Sequence, residues 1–345
     1  MNPVCFQSVV RVPTFYESIK VDQSMRTYII RRLLLVIPTL ILVSMIVFGG
    51  IRLIPGDVVL QLVEEHTFVS TSEADETIDA IRAKLGLDVP IHIQYVRWLN
   101  GIFTRGSIGV SLWKGTEVSH LIAARLPTSI ELVLLSTLIS VSFGITLGAY
   151  SAIRQDTFTD FLLRGIAIAF LAIPNFWIGI MVIVFPSIWW GWIPPLDYVP
   201  FFEDPIANLE LFLIPSLLVG LASIGWIMRM MRTMMLEVLR QDYIRTAWSK
   251  GLKERQIISR HALKNALIPV VTGIGNSLPI LIASSVVVEQ IFSLPGVGRL
   301  LLSAIASRDY TIIVGATMFI ACTVVVINLI VDITYAYLDP RIQYR

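Results

Sequence analysis

The chain has 345 residues, of which 55% are hydrophobic and only 15% charged, with a formal net charge of +2 and a mean hydropathy of +0.74. Soluble domains carry about 25% charged residues, so this composition cannot cover a globule of such size with polar groups, and the surplus apolar surface faces lipid. Two cysteines, Cys5 and Cys322, exclude a disulfide framework. His66, His92, His120 and His261 lie far apart without metal-ligand spacing, so no metal site is predicted.

In chain order, residues 1–24 are mixed, contain Pro3 and Pro13, and lack the apolar core of a signal peptide, which predicts a flexible extension. Met25 opens a basic stretch and is a conceivable alternative start. Six stretches then approach the roughly 20 apolar residues that span a bilayer: Leu33 to Ile51, Leu132 to Ile153, Gly165 to Pro186, Leu211 to Met228, Ala266 to Val288 and Thr311 to Val331. None contains Asp, Glu, Lys, Arg or His, each of which is expensive at mid-membrane. The fold class predicted is all-α, with six transmembrane helices.

Flanking charge sets the direction, because Lys and Arg in short loops stay in the cytoplasm. Arg26, Arg31 and Arg32 precede the first span, and residues 229–264, between spans four and five, carry nine basic residues against three acids. Residues 187–210, after span three, have no Lys or Arg but hold Asp197, Glu203, Asp204 and Glu210. Both termini are therefore expected inside, and residues 52–131 form an extracytoplasmic region. Trp189, Trp190 and Trp192 cluster at the outer end of span three, where indoles favour the headgroup boundary.

The 229–264 connection predicts helix, turn, helix. Leu236, Leu239, Tyr243 and Ala247 recur at helical spacing as one apolar stripe, with Arg232, Arg240, Arg245 and Lys250 as the charged remainder. Gly251 ends the pattern as a helix C-terminus would, and Glu254 suits the start of a second helix running through His261 toward Ala266. Composition alone fits equally well a basic hairpin lying on anionic headgroups.

The segment Tyr243 to Leu252 (YIRTAWSKGL), followed by His261 to Pro269 (HALKNALIP), resembles the cytoplasmic signature of permease subunits in bacterial ATP-binding-cassette importers of the dipeptide, oligopeptide and nickel family. Arg245-Thr246-Ala247 stand where the importer-wide Glu-Ala-Ala would. The resemblance extends through Arg31-Arg32-Leu33 and Ile54-Pro55-Gly56-Asp57 near span one, Leu85-Gly86-Leu87-Asp88 and Leu126-Pro127-Thr128 before span two, Glu289 to Phe292 with Pro295-Gly296-Val297-Gly298 after span five, and Asp309-Tyr310, Asn328, Asp332 and Asp339-Pro340-Arg341 toward the C-terminus. It covers nearly the whole chain from Met25, residues 25–345 forming the transmembrane domain in the type I importer architecture.

That resemblance implies a transport subunit that is not itself an enzyme. No G-x-x-x-x-G-K-[ST] loop occurs, so the chain binds no cofactor, and ATP and Mg belong to two partner ATP-binding subunits. The other partners implied are a second permease and a periplasmic or lipid-anchored solute-binding protein; lipid is a partner and nucleic acid is not. The location is the bacterial inner membrane. Arg245, Thr246, Ala247, Lys250, Gly251, Leu252 and His261 are the candidate ATPase-coupling residues, with His261 packing between the two helices. Asn175, Phe176, Gly273, Asn276, Ser277, Ser284 and Asn328 are candidates for the translocation path, although small residues more often pack membrane helices. Glu289, Pro295, Gly296 and Gly298 are candidates for an external gate, and Pro174 is placed to kink span three. The cargo expected is a di- or oligopeptide, with nickel or a glutathione-like peptide as the alternative. An ion-driven carrier is disfavoured because no span holds an ionisable group, and an intramembrane hydrolase because no span holds a histidine.

Overall fold

The computed structural model describes residues 15–52, 82 and 88–338, and side chains at 30–51, 82 and 88–334. Residues 1–14 of the predicted extension, most of 52–87 with its Ile54 and Leu85 motifs, and the Asp339 motif lie outside the described residues. Helices are numbered here in chain order: α1 Phe15–Arg52, α2 Ile91–Arg105, α3 Val118–Ile153, α4 Phe158–Ala172, α5 Asn175–Trp190, α6 Pro205–Leu239, α7 Asp242–Ser249, α8 Glu254–Ile291, α9 Val297–Ala306 and α10 Tyr310–Leu338. Among the described residues, extended pairing is limited to one isolated bridge, Val110 with Glu117.

Helix α1 takes in Phe15–Ser24, where a flexible extension was expected, because no Gly or Pro interrupts the chain before Pro38. Among the described residues, five helices are long and apolar enough to cross a membrane, or six if α4 and α5 count as one broken span. Several outrun the charge-free stretches that predicted them. Helix α6 has 35 residues, about 52 Å at 1.5 Å per residue, against a hydrocarbon core near 30 Å, so its ends project. Helix α3 likewise starts at Val118, and Leu126-Pro127-Thr128 lie inside it rather than before it.

The third span departs from the single helix expected over Gly165 to Pro186. It is broken at Ile173 and Pro174, and α4 and α5 meet at 97°. Pro174 has no N–H for the helical ladder and drives Ile173 out of the α region, to φ −87° and ψ 126°. The effect is larger than the kink predicted. Each half has 15 or 16 residues, too few to span a bilayer alone.

Helix α6 is the centre of the bundle, with 72% of its apolar window buried against 17–28% in the other long helices. Its main partner, α3, presents Thr128, Leu132, Ser136, Ser140, Gly144, Gly148 and Ala152 as a buried row at four-residue spacing. This row lets the two backbones approach closely. A Cβ on Gly148 would stand 2.5 Å from the Met228 carbonyl oxygen, and one on Gly144 would stand 2.7 Å from Ile227. Ser140 Oγ donates to the Gly220 carbonyl across the seam at 3.1 Å and to Ser136 at 2.6 Å. The sequence analysis missed this spacing, which is legible as small residues at 136, 140, 144 and 148.

At the two ends of the bundle the packing differs. Ile227, Met231 and Met235 of α6 gather Ile244 of α7 and Ile257, Ala262 and Ala266 of α8 at the basic end. At the far end Phe48 of α1, Val118 and Ile122 of α3, Val297 and Leu300 of α9 and Ile312 of α10 form a second cluster. Arg32 of α1 pairs with Asp332 of α10 at 2.7 Å.

Gly148→Leu is expected to cost about 1–3 kcal/mol by overpacking the seam. Thermal unfolding of the detergent-solubilised protein checks this, with Gly165→Leu as the neutral control because nothing lies within 4 Å of a Cβ there.

Candidate functional site: a basic elbow and a pinned turn

The predicted helix, turn, helix at residues 229–264 is present in altered form. The apolar stripe is not carried by one helix. Helix α6 ends at Leu239, Arg240 and Gln241 redirect the chain, and α7 starts at Asp242. Leu236 and Leu239 thus belong to α6, while the buried residues of α7 are Ile244 and Ala247. Tyr243, placed in the stripe by spacing, is 43% exposed because the break resets the helical phase.

Helix α7 has eight residues and rests on its two buried side chains, leaving Tyr243, Arg245, Thr246 and Trp248 outward. Ala247 faces the bundle at 7% exposure, so its small size serves packing on α6 and α8 and not the outer surface. Lys250 is exposed, Leu252 half-buried, and Arg245 forms only an exposed ion pair with Asp242 at 3.4 Å. Such a pair contributes little to stability, which leaves Arg245 open to a partner. Gly251 turns the chain at φ +72°, a left-handed conformation costing roughly 1–2 kcal/mol for residues with a Cβ.

Helix α8 opens at Glu254, as predicted, and passes through a π segment, Ile257–Ala262, before continuing as an ordinary helix. His261 lies in that wide turn, half-buried. The hydrogen bond joining α7 to α8 is made instead by Asn265, whose Nδ2 donates to Tyr243 Oη at 2.8 Å and to the His261 carbonyl at 3.1 Å. Asn265 stands in the quoted HALKNALIP run, one helical turn after His261, which is the signal that could have found it.

One member of the basic set is not a surface charge. Arg232 reaches from α6 to Asp160 at the start of α4, with Nη2 to Oδ2 at 2.7 Å.

At the opposite end, Glu289 closes α8 and has no exposed surface. Its Oε1 accepts from Ser129 Oγ at 2.7 Å, and its Oε2 accepts from the Arg299 backbone N–H at 3.1 Å. Ser129 Oγ in turn accepts from the Val297 N–H at 2.8 Å. The carboxylate therefore serves as the cap of α9, whose own preceding residue, Gly296, has no side chain to offer. Any Cβ on Gly296 would strike the carboxylate, and one on Gly298 would stand 2.5 Å from Val286 Cα. The Pro295-Gly296-Val297-Gly298 motif is thus explained by close approach. Glu289, expected at an external gate, is a buried pin beneath the short helix that follows it.

The candidate path residues are not gathered into one site. Gly273 is buried under the Trp226 ring, which fills the space a side chain would need. Ser277 Oγ donates to the Ile274 carbonyl at 2.8 Å, and Ser284 is half-buried. Asn276 is exposed on α8, and Asn175 and Phe176 begin α5 after the break. Asn328 borders a groove of about 170 Å³ shared with Arg32 and Asp332 between α1 and α10. A larger recess of about 980 Å³ at the far end is bounded by Trp113, Lys114, Gln290, Ser303 and Asp309. Asp309 fixes its floor, accepting from Ser111 Oγ at 2.6 Å and Leu112 N–H at 3.0 Å through Oδ2, and from Ile312 N–H at 3.2 Å through Oδ1. Among the described residues, no three His, Cys, Asp or Glu converge where they would hold a metal ion.

Comparison with known proteins adds a decisive observation. The model of the binding-protein-dependent transport system inner membrane component family matches residues 144–344, and the model of that family's N-terminal part matches residues 25–133. The chain belongs to this family. It is accordingly a membrane-embedded permease component of a transport system. An oligopeptide transport system permease protein, AppB, of Bacillus subtilis (strain 168) is 39% identical, with 93% of this chain and 100% of that one covered. A chain of Brucella suis biovar 1 (strain 1330), provisionally named as a peptide transport system permease, is 38% identical over the same shares. A glutathione transport system permease protein, GsiC, of Salmonella paratyphi A (strain ATCC 9150 / SARB42) is 33% identical, over 93% of this chain and all of that one. Both the elbow and the pinned turn fall within residues 144–344.

Glu289→Ala is expected to free the N-terminus of α9 and leave buried donors unpaired, at about 1–3 kcal/mol. Faster limited proteolysis within residues 293–306, with the α3–α6 core still protected, is the readout.

Proposed function

We propose that this chain is the membrane-spanning subunit of an ATP-driven importer of di- or oligopeptides, with residues 229–264 on the cytoplasmic side as its contact with the motor. The observation that carries the reading is α7: an eight-residue helix turned back at Gly251, seated on Ile244 and Ala247, with Tyr243, Arg245, Thr246 and Trp248 presented outward. A hairpin lying on headgroups would bury its apolar face in lipid, whereas here that face is buried in the protein.

In this reading two ATP-binding subunits hold ATP and Mg, and each receives one α7 from a pair of permeases. A solute-binding protein delivers cargo at the opposite face, and both termini of this chain are cytoplasmic. Nine basic residues against three acids in residues 229–264 support that orientation. Closure of the ATPases draws the two elbows together and shifts the helices between inward-open and outward-open states. Peptide cargo is supported by the names of the Bacillus and Brucella relatives. The Salmonella relative's name favours a glutathione-like peptide as the second reading.

The test is reconstitution with the partner permease, ATPases and binding protein in proteoliposomes, following ATP hydrolysis and uptake of labelled peptides. Peptide-stimulated hydrolysis with uptake is expected; uptake indifferent to the ATPases would overturn the proposal. Gly251→Val is expected to lower uptake about tenfold through the left-handed strain of roughly 1–2 kcal/mol, with membrane levels unchanged by immunoblot.

A further inference from the structure

The Asp160–Arg232 contact is unlike the other ion pairs described here. Asp160 has no exposed surface, and all of its partners converge from three elements. Arg232 of α6 donates Nε to Oδ1 at 2.8 Å and Nη2 to Oδ2 at 2.7 Å. Ser151, near the end of α3, donates Oγ to Oδ1 at 2.5 Å, and the backbone N–H of Asp156, in the α3–α4 turn, donates to Oδ2 at 3.1 Å. Asp156 holds that turn at φ +62°, a conformation Asp tolerates better than most residues. One carboxylate thus ties together the end of α3, the start of α4 and the projecting base of α6.

A second fixed point lies two turns further along. Gly225 of α6 meets α4 so closely that a Cβ would stand 2.7 Å from the Ala167 carbonyl oxygen. The two contacts join 160 to 232 and 167 to 225, seven residues apart on each helix, which clamps the antiparallel pair against both sliding and rotation. Arg232 is itself only seven residues before Leu239, where α6 hands over to α7. Beyond Ala172 the chain turns through 97° into α5. Packing alone would hold α4 without burying charge, whereas a bidentate pair also sets angle and register.

We propose that Asp160 and Arg232 are a positioning pair that makes α4 follow the base of α6, delivering movement of the elbow to the broken third span. The pair rests on the import reading, since it acts only if α7 is driven by a motor. Without it, α6 still moves, but α4 lags and the third span is no longer set by the nucleotide state. In this reading both residues act through the helices they join and not on ATP or cargo.

The test uses the full complex of both permeases and the ATPases, reconstituted with the binding protein. Asp160→Asn, Arg232→Gln, the double variant and Arg232→Lys are compared for ATP hydrolysis and for peptide taken up per ATP hydrolysed. The first three are expected to lower that ratio about tenfold, the double no more than either single, as for residues acting as one unit, with hydrolysis kept within about twofold of the parent. Arg232→Lys should fall between. Spin labels at Thr159→Cys and Thr233→Cys, both exposed, in a Cys5→Ser, Cys322→Ser background, should give one narrow distance that broadens in Asp160→Asn. An unchanged ratio, losses that multiply in the double variant, hydrolysis and uptake falling together, or an unaltered label distance would each overturn the proposal. Failure of the parent complex to take up any peptide would instead overturn the import reading.

Discussion

Close contact between α3 and α6 is the constraint on which the rest of this structure depends. In a bilayer, apolar side chains gain little by leaving lipid for protein, so helices associate through dense packing and a few polar contacts. A row of Ser and Gly at four-residue spacing on α3 supplies that density, bringing its backbone against Gly220, Ile227 and Met228 of α6. With α6 seated this way, the remaining helices have a fixed post to pack on. Its projecting base can then organise α7, the start of α8 and the α3–α4 turn together.

The two ends of the molecule use different chemistry. At the basic end, apolar residues of α6, α7 and α8 form the seat, and the charged groups of α7 point away from it. Arg245 is held there only by an exposed pair with Asp242, and Lys250 stands exposed beside the Gly251 turn. At the far end two carboxylates are internal: Glu289 caps α9 and Asp309 caps α10 while holding the loop at Ser111 and Leu112. Buried carboxylates satisfied by backbone N–H groups fix short helices firmly, since losing them strands several donors at once. The permease is therefore fixed by buried carboxylates at one end and presents exposed side chains of α7 at the other.

Much of this was legible beforehand, and the failures share a cause. The apolar stretches, the charge asymmetry and the turn at Gly251 are local properties of the chain, readable from hydropathy, loop charge and the demands of a left-handed backbone. The resemblance in residues 243–269 pointed to the family that the comparisons establish. Misplaced expectations concerned which way a side chain faces. Arg232 was grouped with surface charges, yet its partner is 72 residues away. Gly273 was a path candidate, yet it is the seat of Trp226. Tyr243 kept its place in a periodic stripe only until the helix broke at Arg240 and Gln241.

The amino-acid sequence by itself determined that this chain lives in lipid, roughly where it crosses, and that residues 229–264 form a bent basic element, because hydropathy, net loop charge and turn chemistry act over a few neighbouring residues. Only tertiary structure decided that the third span is two helices at 97°, that Glu289 is a pin beneath α9, and that Asp160 binds Arg232. Those outcomes depend on which helices touch, and contact between distant segments is set by the shape of the assembled bundle and not by any window of the chain.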